Sequence, residues 1–124
     1  MRDAFHEELD AINNTLVDLS HRVNKAMEQA THALLTADLA IAEQVIAEDN
    51  QIDEIQHALD AQTIDLMARQ QPVASDLRAL VVSLRMSADL ERMGDLAHHI
   101  AKSARMRYPS TAVPPELLLT IQEM

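Results

Sequence analysis

The chain has 124 residues, with 20 Asp and Glu against 10 Lys and Arg, one Gly, no Trp and no cysteine. The formal net charge of −10 argues against nucleic acid, whose phosphates are neutralised by clustered Lys and Arg, and against docking on anionic lipid. Without thiols, disulfides, zinc–thiolate centres and thiol catalysis are excluded.

Hydrophobic residues make up 48 % of the chain and are almost all aliphatic. With Gly so scarce, this composition favours long helices. The opening MRDAFHEELD is acidic and amphipathic, unlike an export signal, and no apolar run reaches the length of a membrane span. A soluble cytoplasmic protein without membrane insertion is expected.

The first helix is predicted from about Asp3 to Leu35. Its apolar stripe, Phe5, Leu9, Ile12, Leu16, Leu19, Val23, Ala26, Ala30 and Ala33, advances in alternating steps of four and three, a heptad seam. Asp38 is placed to cap the next helix. That second helix is predicted from about Leu39 to Gln70, with Ala42, Val45, Ile52, Ile55, Leu59 and Leu66 inside. Pro72 ends it, because the residue before a proline disfavours helical geometry. The third helix is predicted from a cap at Ser75 or Asp76 to about Arg107, with Leu77, Val81, Leu84, Ala88 and Ile100 inside. Gly94 in its middle suggests a close neighbour. Residues 108–115 read as a linker, and 116–124 as the opening of a fourth helix, too short to stand alone. The expected architecture is an all-α, elongated up-down-up three-helix bundle over 1–107, followed by the start of a second, truncated bundle. The apolar residues of that last segment predict self-association.

Two acidic pairs are mirrored about Pro72. Asp53 and Glu91 each lie 19 residues from it, and Asp49 and Asp95 each lie 23. On antiparallel helices these four carboxylates converge in two layers about 6 Å apart, one helical turn. Like charges at i,i+4 destabilise a helix, so the cluster calls for a cation of the hard, oxygen-preferring kind. The alternative is a solvated acidic face neutralised by Arg85, Arg92 and Lys25. His57 and His99 extend the two stripes, to Asp49-Asp53-His57 and Glu91-Asp95-His99, and an imidazole there suits Zn, Fe, Mn or Ni. The two lie at opposite ends of the patch and cannot share one shell, and the alternative is that each is a solvated helix residue. His98, His6, His21 and His32 read as surface residues. Nucleophilic catalysis and a Gly-rich phosphate loop have no support, since the serines sit on helices or caps and there is one Gly.

The segments RQQPVASDLR over 69–78 and ADLERMGD over 88–95, with ALLTAD over 33–38 and VIAEDNQID over 45–53, resemble the PhoU family, the phosphate-specific transport system accessory and regulatory proteins. The resemblance covers about Met1 to Pro109. It implies a three-helix bundle that is the amino-terminal half of a tandem pair, and a non-enzymatic adaptor. Its implied partners are a phosphate ABC transporter ATPase and a sensor histidine kinase, with repression of uptake genes when phosphate is plentiful. It also implies metal clusters on paired acidic motifs, which fall here on Asp49/Asp53 and Glu91/Asp95. Where many relatives carry Asn, this chain has His99. Two rival readings are a ferritin-like di-metal enzyme built on Glu54-Ile-Gln-His57, and a metal-free coiled-coil scaffold.

Overall fold

The computed structural model describes residues 3–110. It contains α1 (Ala4–Thr36), α2 (Leu39–Gln70) and α3 (Ala74–Arg107), packed against one another, and no strand among the described residues. The expected all-α helical bundle is what forms. The expected fourth helix over 116–124 and most of the 108–115 linker lie outside the described residues.

The helix ends follow from local chemistry. Asp3 caps α1, its Oδ1 accepting the His6 N–H at 2.9 Å. Ala37 takes a left-handed φ of 55° and the Asp38 N–H returns to the Ala33 carbonyl at 3.1 Å, closing α1 in a Schellman turn. Asp38 then caps α2 through the Ile41 N–H at 3.1 Å, as the sequence indicates. Gln71, with φ 42°, sits immediately before Pro72 and ends α2. The third helix starts earlier than a cap at Ser75 or Asp76 would allow. Its first turn is closed by the Leu77 N–H to the Val73 carbonyl at 2.8 Å, and Asp76 lies inside that turn, where the helix dipole favours a carboxylate.

By Cα proximity, the described residues form two compact units, one from 3–23 and 50–92, the other from 24–49 and 93–110. In the first, Arg69 near the end of α2 bonds Glu8 near the start of α1 at 2.8 Å, and His6 lies 3.5 Å from Asp76 at the start of α3. Gln56 of α2 reaches Ser87 of α3 at 3.2 Å. These contacts make α2 antiparallel to both neighbours, giving the up-down-up course. The core here is bulky: Phe5, Ile12, Leu16, Leu19, Val23, Ile52, Leu59, Leu66 and Leu80 are buried. Each side chain of this size contributes about 1.5–3 kcal/mol on full burial.

The second unit is lined mainly by alanine: among the described residues Ala26, Ala30, Ala33, Ala42, Ala97, Ala101 and Ala104 are buried, with Val45 the one larger buried aliphatic. Ala33, Ala42 and Ala104 form a cluster against which Leu34 and Ile41 pack.

The inner face of α3 is not the one its large apolar residues suggest. Leu77 is 39 % exposed, while Leu80, Ser83, Ser87, Gly94, Ala97, Ala101 and Ala104 are buried. The buried seam keeps the heptad steps but is carried by small side chains, which let neighbouring helices approach. No helix among the described residues is long and apolar enough to cross a membrane.

Candidate metal site

Asp49 and Asp53 stand one turn apart on α2, and α3 brings Asp95 to them. Each offers a carboxylate oxygen, and these oxygens all lie within 4.8 Å of one another. Asp49 is buried (8 % exposed), Asp53 half-buried and Asp95 exposed. The group is therefore graded from interior to surface. Beside Asp95, Gly94 and Ala97 are buried, so at these two positions α3 presents no bulky side chain inward.

Buried Asp49 has a specific partner. His98 Nδ1 lies 2.8 Å from Asp49 Oδ2, and His98 Nε2 is buried with no hydrogen-bond partner. The His99 ring stacks on that of His98, with centroids 6.4 Å apart and planes at 20°.

Three carboxylates this close repel one another, and a cation among them relieves the repulsion. An all-oxygen donor set with one imidazole alongside suits Mn, Fe, Zn or Ni, with hard oxygen ligands dominating. Arg92, a candidate neutralising neighbour, is paired with Asp89 at 3.5 Å.

Three of the residues selected from the sequence, Asp49, Asp53 and Asp95, are thus brought together. Glu91 and His99 are exposed on α3 and stand outside this three-carboxylate group. Glu91 precedes Asp95 by one turn on the same side of the helix. Glu54 and His57, the basis of the ferritin-like alternative, are both exposed and also outside it. The assignment of His98 to the surface is corrected: it is half-buried and bonded to Asp49. Its position three residues after Asp95, on the same helix face, was the available signal.

The family model described as PhoU domain matches residues 16–104. The chain is 45 % identical over 117 residues to "Phosphate-specific transport system accessory protein PhoU homolog 2" of Mycobacterium tuberculosis, covering 94 % of this chain and 55 % of that one. It is 44 % identical over 117 residues to PhoU homolog 1 of Mycobacterium leprae, covering 94 % and 53 % respectively. To the PhoU homolog of Pseudomonas aeruginosa it is 36 % identical over 100 residues, 81 % of this chain and 41 % of the other. The chain spans about half the length of the curated relatives it matches. No solved structure matches it significantly.

Proposed function

Because the chain belongs to the PhoU family, we propose that it is a metal-binding accessory regulator of phosphate uptake that catalyses no reaction of its own. It acts as a helical adaptor in the cytoplasm between a phosphate ABC transporter, through its ATPase, and a sensor histidine kinase. Phosphate-uptake genes are repressed through it when phosphate is plentiful, and it works as a homo-oligomer. The observation that carries this reading is the PhoU match over 16–104, which includes both acidic pairs. The printed names of the relatives, accessory proteins of a phosphate-specific transport system, support the phosphate role.

The metal part rests on the chemistry of Asp49, Asp53 and Asp95. Their donor atoms lie within 4.8 Å of one another, close enough for small side-chain movements to gather them on one ion. A divalent or trivalent ion, with Fe, Mn, Zn and Ni as candidates, would be held by these three, with Glu91 supplying a further carboxylate from α3 and His99 at the outer edge. Bound there, the ion supplies positive charge on a strongly acidic chain. It would permit contact with an anionic partner or phosphate that the bare protein repels.

The test is affinity capture of the full-length protein from phosphate-replete cells. Recovery of the transporter ATPase or the sensor kinase is expected. Recovery of neither, together with unchanged phosphate-uptake gene expression in a deletion strain, overturns the regulatory reading.

A further inference from the structure

We propose that His98 is a positioning residue for the metal site: its Nδ1–H holds Asp49 in the orientation that presents the second carboxylate oxygen to the ion. This rests on the metal reading above and assigns a role to a residue outside the acidic pairs.

Two observations carry it. Asp49 is the buried member of the three-carboxylate group, and its Oδ2 is engaged by His98 Nδ1 at 2.8 Å. A carboxylate bonded through one oxygen to a ring N–H has its side-chain rotation arrested and keeps the other oxygen for a cation. The second observation is the Nε2 of His98, a buried atom without a hydrogen-bond partner. With the proton on Nδ1, Nε2 carries a bare lone pair. For packing alone this is a poor choice, because a buried polar atom without a partner is desolvated for nothing in return. An apolar side chain would fill the same space without that loss. The bond to Asp49 is what the imidazole adds. Hydrogen bonds of this kind, from a neighbouring side chain to a ligating group, orient the ligand and raise metal affinity.

The experiment is calorimetric titration of the full chain with Mn2+ alone, and separately Zn2+ alone, for wild type, His98→Ala and His98→Asn. The amide nitrogen of Asn can take the place of Nδ1 while nothing replaces Nε2. His98→Ala is expected to weaken binding by about 10–100-fold, the range seen when an outer partner of a metal ligand is removed. His98→Asn is expected to recover most of that loss. The Mn2+ electron paramagnetic resonance spectrum should change with His98→Ala and return toward wild type with His98→Asn. The metal-free melting temperature of each variant shows whether folding is intact. Equal affinity in wild type and His98→Ala, with wild type binding metal, overturns the role of His98 and leaves the metal site standing. Equal loss in His98→Ala and His98→Asn, both folded, overturns the Nδ1–H assignment. A wild type that binds neither ion overturns the metal reading and this inference together.

Discussion

Gln56 of α2 donates its side-chain amide to the Ser87 hydroxyl of α3 at 3.2 Å, and both residues are sealed from solvent. The same nitrogen donates to Asp60 Oδ2 at 2.7 Å. Thr63 and Ser83 are buried too, so a polar layer interrupts the bulky aliphatic core of this unit. An apolar seam can slip by one turn and still bury its surface. A layer with a cross-helix hydrogen bond cannot, because the slip leaves buried polar atoms without partners.

Removing one partner of that bond should therefore be felt. Ser87→Ala is expected to cost about 0.5–1.5 kcal/mol, the net worth of an ordinary hydrogen bond. In a double-mutant cycle with Gln56→Leu, measured by urea unfolding, the two effects should be non-additive by about 0.5 kcal/mol or more. Additive effects would show that the 3.2 Å contact does not couple the helices.

The seam of α3 gives a contrast between two leucines. Leu80→Ala, at a fully buried site, is expected to cost about 2–5 kcal/mol. Leu77→Ala, three residues earlier and 39 % exposed, should cost far less. In the alanine-lined unit the error runs the other way: Ala101→Leu should destabilise by about 1–3 kcal/mol through overpacking. Comparable losses at Leu77 and Leu80 would contradict the observed face.

The His6 imidazole sets a pH dependence. Its pKa is raised above 6.5 by the hydrogen bond to Asp3, against some desolvation, with the charges of Asp3 and Asp76 acting in the same direction as that bond. A raised basic pKa means that the folded state holds the proton more tightly. The added stability is fully present below about pH 6.5 and is lost as the pH climbs through the folded-state value. The melting temperature of wild type should thus exceed that of His6→Ala by a margin that shrinks over this window. A margin constant from pH 5.5 to 8.5 would mean that the Asp3–His6–Asp76 contacts do not contribute through charge.

At the carboxylate group, folding and binding should respond differently. Asp95 is exposed, so Asp95→Asn is expected to leave metal-free stability within about 0.5 kcal/mol of wild type. It should nonetheless reduce the rise in melting temperature that Mn2+ produces in wild type, a rise worth about 2.7 kcal/mol at a hundredfold excess of ion over Kd. Binding should also weaken on acidification, because the ligands must be ionised. An undiminished Mn2+ shift in Asp95→Asn would remove this residue from the site.

Much of the fold is legible in the sequence. The α1 stripe from Phe5 to Ala33 is buried almost throughout because six large apolar residues and then three alanines follow one another at clean heptad spacing. Asp38 and Pro72 fix the turns through local chemistry, so no tertiary information is needed to find them. The face of α3 is different. Its buried side chains are mostly Ser, Gly and Ala, which weigh little on any hydrophobic scale, and Val81, Val82 and Leu84 draw attention to the flanks. Gln56 and Ser87 are hidden for the same reason: a buried polar pair is recognisable only when both partners are seen. The mirrored spacing about Pro72 found Asp49, Asp53 and Asp95. That mirror does not include His98, whose bond to Asp49 depends on the rotamer it adopts; only its place three residues after Asp95 points to it.

The alanine lining of the second unit has a consequence for any ion held beside it. Alanine has no χ angle, so a wall built from it has no alternative rotamers. Within this unit, Ala42, Ala97 and Ala101 are fully buried and cannot repack by changing rotamer. Adjustment to a bound ion would have to come from the carboxylate side chains themselves or from the backbone, not from the alanine lining.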